Sequence, residues 1–204
     1  MTVTVAVRRR ARPGRAAALL ETMRRLLTPA VRLGTPRSAR VFRARDDAHD
    51  FLLIGEWDSP EAFWSRREAV GGAEQLDPLT EGAPEHYVFE RLALYEDVVS
   101  PVAAVTCALL TYPPGAAPGL NQALWWPARE QVRQQPGCVL HAVYRELDGA
   151  ARLFAMSGWS SEHALEQFLS ELGPTLDAQQ RAAGVHSDRF VGVTIVELTA
   201  GGTR

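Results

Sequence analysis

The chain has 204 residues with 22 basic and 24 acidic side chains, a net charge near −2 and 46% hydrophobic residues. That is an ordinary globular composition, with no general attraction for nucleic acid or an anionic membrane surface. No apolar run approaches the roughly 20 residues that span a bilayer, and Met1 to Arg10 lacks the apolar segment of a signal peptide, so a cytoplasmic location is expected.

Val3, Val5 and Val7 alternate with Thr4 and Ala6, which predicts a half-buried strand from Thr2 to Arg8. Arg12-Pro13-Gly14 ends it. From Arg15, the residues Leu19, Leu20, Met23, Leu26, Leu27 and Val31 recur at three and four and give one helix face to bury. Pro29 inside that pattern predicts a kink or an early stop near Thr28, and Gly34 ends it. Ser38 to Arg45 reads as a second strand, and the polar turn Asp46 to Asp50 leads into a third that closes at Trp57. Asp58 or Ser59 then caps a helix with Pro60 in its first turn, running to about Val70, where Gly71-Gly72 stops it. Residues 73–84 read as a looser segment, and His86 to Glu96 as a fourth strand.

The second half repeats the order. A strand from Val102 to Thr111, a helix from Leu120 to Gln134, strands from Cys138 to Arg145 and from Ala151 to Trp159, a helix after Ser160 or Ser161, a loose stretch over Leu172 to Gly184 and a last strand from Arg189 to Leu198 follow one another, and the tail from Thr199 frays. Trp57 matches Trp159, Ser59 matches Ser161 and Ala62 matches Ala164 at an offset of 102 residues, half the chain. Each half therefore reads β-α-β-β-α-β, the ferredoxin-like order, and the fold class is α+β with modules over 1–98 and 101–200. Such a module leaves one sheet face free of helices. Two in one chain can pair those faces at a high effective concentration, an intramolecular version of a dimeric α/β barrel.

Twelve Arg fall within the first 45 positions against the single acid Glu21. They read as a solvated face balanced by the acids from Asp46 onward. Cys107 and Cys138 sit in strand-like runs and read as reduced core thiols.

Several residues are candidates for chemistry. Trp57 and Trp159 either line a cavity between sheet and helices or plug the core at the helix start. Gly55 and Ser157, two positions before each Trp, leave room beside it. Trp125-Trp126-Pro127 predicts a broken helix over a pocket mouth, or one core Trp and one capping the break. Alternation groups Cys138, Leu140, Ala142 and Tyr144 on the more apolar face, against the helices, and sends His141 the other way. His163, in the first turn of its helix, is a neutral cap residue or a proton acceptor. Asn121 is a carbonyl donor or a turn residue. No spacing of Cys or His suits a metal, and no phosphate loop or nucleophile elbow is present.

A strand ending in Trp, a polar residue, Ser, two residues, then Ala and a large apolar residue, on this background in both halves, resembles the antibiotic biosynthesis monooxygenase family of dimeric α/β barrels. Single-module members pair as dimers, and the resemblance implies that this chain makes its own pseudo-dimer or a homodimer of it. Among the members best known by function are cofactor-free monooxygenases of aromatic polyketides, with an Asn four before the Trp and a Tyr six after it. Here those positions hold Leu53 and Phe63, and Ala155 and Leu165. The His of haem-degrading relatives is replaced by Arg67 and Leu169. The resemblance implies an enzyme of secondary metabolism, using molecular oxygen and no cofactor or metal on a phenolic or anthrone-like substrate. Trp159, His163 and Asn121 are its expected catalytic residues, and Trp57, Trp125, Trp126 and Tyr144 its substrate-binding ones. A non-oxidative cyclase or isomerase, and a non-catalytic ligand-binding barrel, are the alternatives.

Overall fold

A computed structural model describes all residues except 1, 34, 98–99, 114–117, 148–151, 200–201 and 204, with the side chains of 118–124 and 202–203 also outside the description. The chain is α+β, with two tandem ferredoxin-like modules. Two compact units emerge, one of residues 1–90 and 194–204 and one of residues 91–193.

In the first unit, β1 (Val3–Ala11), α1 (Ala16–Arg32), β2 (Ser38–Ala44), β3 (Asp50–Trp57), α2 (Pro60–Ala69), the short α3 (Gly72–Leu76) and β4 (Thr80–Glu96) follow in order, with a 3-10 turn at Asp77–Leu79 before β4. The antiparallel sheet has the order β2-β3-β1-β4. Leu19, Met23, Leu27 and Val31 of α1 pack on Ala11, Val41 and Phe51 of one sheet face. The predicted early stop at Thr28 does not occur. α1 continues past Pro29 to Arg32 because Ala30 and Val31 extend its buried stripe beyond the missing donor.

The second unit holds β5 (Ala104–Thr111), α4 (Pro118–Arg133), β6 (Cys138–Glu146), β7 (Arg152–Trp159), α5 (Glu162–Glu171), α6 (Gly173–Ala182) and most of β8 (His186–Thr199), with strand order β6-β7-β5-β8. Here too the helix survives its proline, since α4 passes through Pro127 without a restart. The stretch read as loose contains the ten-residue α6, begun by Pro174 in its first turn. The tail is also more ordered than expected, because β9 (Gly202–Thr203) pairs with the end of β8.

The closing strands are longer than their sequence pattern. β4 begins at Thr80 and its residues 91–96 count with the second unit; residues 194–199 of β8 count with the first, where Arg40 on β2 meets Glu197 at 2.9 Å. The arginines of the N-terminal stretch are balanced as expected. Arg8 pairs with Asp50, Arg9 with Asp77, Arg10 with Asp47 and Glu81, and Arg37 with Asp58. Both cysteines are buried free thiols; burial raises Cys107 and pushes Cys138 up to about 11.

The repeat is exact in chemistry at the strand-to-helix turns. Ser59 accepts from the Ala62 amide at 3.2 Å and Ser161 from the Ala164 amide at 3.1 Å, and each helix starts one residue beyond its serine.

Candidate functional site

Each unit holds an apolar cavity between its sheet and its helices. The larger, about 90 Å³, lies in the second unit. Its floor is Thr106 and Ala108 of β5, His141 and Val143 of β6, and Ala155 and Ser157 of β7; Trp125, Arg129, Phe168, Leu176 and Gln180 of the three helices close it. His141 therefore faces the helices, against the expectation from alternation. The cause is a bulge. Cys138 pairs with Trp159 but Leu140 pairs with Gly158, so Val139 is an extra residue and the faces exchange beyond it.

His141 lies opposite Ser157 in register, and its Nδ1 is 2.9 Å from Ser157 Oγ. The imidazole is 4% exposed, and its Nε2 is buried with no hydrogen-bond partner among the described residues. Burial first, and then the nearby Arg129 charge, pull its pKa down to about 4. It is a neutral ring at pH 7. Arg129, one turn beyond Trp125 on α4, has its guanidinium 5.0 Å from the Trp126 ring and a buried Nε without a partner among the described residues. Arg189 also reaches the cavity, but Asp177 holds it. Burial raises the Tyr112 phenol, a further wall residue, to about 12.

The structure separates the residues singled out from sequence. Trp125 lines this cavity and Trp57 lines the one in the first unit. Trp159 does not. It is fully buried behind the wall, stacked on Phe168 with ring centroids 4.6 Å apart, its indole N–H donating to Thr106 Oγ1 at 3.4 Å. The Val139 bulge puts Tyr144 on the opposite sheet face, against Phe154. Trp126 is 51% exposed and packs edge-on to Trp125, because adjacent helical positions point about 100° apart. His163 is exposed and lines neither cavity. Asn121 stands on α4 with its side chain outside the described residues. The space expected beside Gly55 is filled: a Cβ there would lie 2.9 Å from Trp57 Nε1, so the indole folds over the glycine.

Sequence reasoning missed the pairing of His141 with Ser157, and Arg129 entirely. The signal for the pair was present, since both lie on hairpin strands, but the bulge hides it from a parity count.

The cavity of the first unit, about 80 Å³, is lined by Val7, Met23, Leu27, Leu53, Trp57 and Phe63, with Arg9, Arg66, Arg67 and His86 among its other wall residues. Trp57 and Phe63 meet edge to face at 5.2 Å. Burial, with Arg67 and Arg9 adding to it, lowers His86 to about 4. Among the described residues, no group of His, Cys, Asp or Glu suits a metal ion, and no helix is long and apolar enough to cross a membrane.

These features define a two-module ferredoxin-like protein with an apolar cavity in each module. The sequence profile of the family described as antibiotic biosynthesis monooxygenase matches residues 2–73 and 105–181, well over half of the chain. The chain belongs to that family. No curated protein matches it in sequence. Among solved structures, an anthrone oxidase-like protein is 19% identical with a TM-score of 0.72, over 98% of this chain and 94% of its own. A candidate monooxygenase from Fusobacterium nucleatum subsp. nucleatum ATCC 25586 is 7% identical with a TM-score of 0.76, over 98% and 95%. Another, from Lactobacillus acidophilus NCFM, is 9% identical with a TM-score of 0.70, over 98% and 97%. At these identities the likeness carries the fold alone.

Proposed function

We propose that this chain is a cofactor-independent monooxygenase of secondary metabolism that oxidises a phenolic or anthrone-like substrate in the cavity of its second module. Family membership supports a monooxygenase type of reaction. The observation that carries the finer reading is the neutral His141, held by Ser157 beside Arg129 in an otherwise apolar cavity.

A phenol ionises near pH 10 in water, and an imidazole titrating at about 4 would take its proton at a cost of roughly 8 kcal/mol, too much for a general base. The arrangement suits electrostatic stabilisation better. The Ser157 hydroxyl donates to Nδ1, which leaves the ring proton on Nε2 as a donor to the substrate oxygen. The Arg129 charge favours the phenolate, whose proton leaves to solvent. The electron-rich anion then reduces oxygen: a substrate methylene becomes a carbonyl with one oxygen atom, and the other atom leaves as water with the two methylene hydrogens. The 90 Å³ volume is below the ~150 Å³ that holds a benzene, so one ring edge enters and the rest of the substrate occupies the mouth.

Oxygen uptake with an anthrone tests this. The parent protein should consume one O2 per substrate, and Arg129→Gln should lower kcat about 10–100-fold; no uptake by the parent rejects the reading. A second reading, a non-catalytic ligand-binding module, draws on Leu53 and Ala155, which put apolar side chains in the cavity walls where the family's oxidising members are expected to carry Asn. Ligand binding without turnover, in air and under argon, would favour it, and turnover under argon would indicate a cyclase or isomerase.

A further inference from the structure

We infer that the cavity of the first module is a separate ligand site, for a small carboxylate carried on a short branched apolar body. Its walls are aliphatic and aromatic, Met23, Leu27, Trp57 and Phe63 among them, and its volume of about 80 Å³ takes the short hydrocarbon end of a small ligand while the head group stays at the mouth. Two arginines of α2 put unneutralised positive charge at this apolar void. Arg9 is matched by Asp77 at 2.9 Å. Arg66 and Arg67 of α2 are not: each has a buried Nε without a hydrogen-bond partner, and neither pairs with a carboxylate among the described residues. Arg67 is held with its guanidinium 5.6 Å from the Trp64 ring, which orders it before any ligand arrives.

His86, in the same wall, is kept neutral by burial and by Arg67 and Arg9, and its Nε2 also has no partner among the described residues. A planar carboxylate accepts paired N–H bonds from the two guanidinium groups, while its hydrocarbon end replaces the void. An uncharged ligand would leave both arginines unpaired, and a bare anion would leave the apolar walls empty. This site does not depend on the chemistry assigned to the second module.

The test uses the full chain and isovalerate, with isovaleramide as its uncharged counterpart and acetate as its bare head group, followed through the Trp57 indole N–H resonance. Isovalerate should shift that resonance and bind at least tenfold more tightly than either control, and Arg129→Gln, which lies outside this cavity, should leave isovalerate binding as it is. Replacing both half-buried arginines, Arg66→Gln with Arg67→Gln, should bring isovalerate down to the level of isovaleramide. Equal binding of acid and amide, or of isovalerate and acetate, overturns the inference on the parent protein alone. So does a double variant that keeps the preference for the acid.

Discussion

The two modules share a chain order and a cavity, yet the walls of the cavities differ in one element. In the first, the segment between α2 and β4 is the five-residue α3 and a single 3-10 turn, so arginines of α2 complete the wall. In the second, the matching segment is the ten-residue α6, which lays Leu176, Gln179 and Gln180 across the cavity. Each cavity keeps a neutral histidine, but on different strands: half-buried His86 on β4 and fully buried His141 on β6. Duplication has preserved the scaffold and its helix caps while the lining side chains have diverged. The repeated Trp shows the same split. Trp57 faces its cavity, whereas Trp159 is a fully buried brace behind Phe168.

That contrast is broken most sharply by removing the two indoles. Trp159→Ala should destabilise the chain by about 3–5 kcal/mol, since it deletes a stacked, fully buried ring and its bond to Thr106. Trp57→Ala should fall at or below the lower end of that range, because part of its surface already faces a void. Urea melts of both variants check the order; equal losses would mean that the two residues do the same job.

The histidines sharpen it next. His141 titrates near 4 in the fold and near 6.5 when unfolded, so the unfolded chain binds the proton first. Its burial costs nothing above pH 6.5, and it lowers stability as pH falls from 6.5 to 4 by up to about 3 kcal/mol. The slope of stability against pH in that window should flatten in His141→Gln relative to the parent. His86 contributes in the same direction and is unchanged in that variant, so a parent-like slope would show that His141 is not buried in neutral form.

Gly137 links the second module's turn to its caps. It has φ +75°, and a Cβ there would stand 2.5 Å from the Ala164 side chain. Gly137→Ala should therefore cost about 1–3 kcal/mol in a thermal melt through strain and overpacking. No loss would mean that α5 can move away from the turn.

What was legible in the sequence was whatever local chemistry decides. Ser59 and Ser161 cap their helices, Pro60 opens α2, and alternating valines make β1, because each needs only its neighbours. What was not legible depended on partners far along the chain. Nothing near Val139 announces a bulge; the pairing with β7 creates it, and with it the faces of His141 and Tyr144. Pro29 and Pro127 argue locally for breaks, but packing on both sides of each overrides the lost hydrogen bond. α6 carries Gly173, Pro174 and a run of Gln and Ala with weak periodicity, so the sequence pattern predicts a loose segment where the helix that walls the candidate site stands.

The smallest effect tests the caps and one catalytic candidate together. Glu61 sits in the first turn of α2, and its carboxyl is held below the usual carboxylate range by a hydrogen bond from Ser59 and by backbone bonding. The matching position of α5 holds His163, exposed in solvent. A carboxylate is favoured at a helix N-terminus and an imidazolium is not, because the free amides there carry partial positive charge. His163→Glu should therefore raise Tm by about 1–3 °C at low ionic strength, and added salt should erase most of the gain. The reciprocal Glu61→His should lower Tm by a similar amount. Oxygen uptake by His163→Glu should equal that of the parent, since this residue lines neither cavity. A folded His163→Glu protein that has lost turnover would return His163 to the reaction and displace His141 from it.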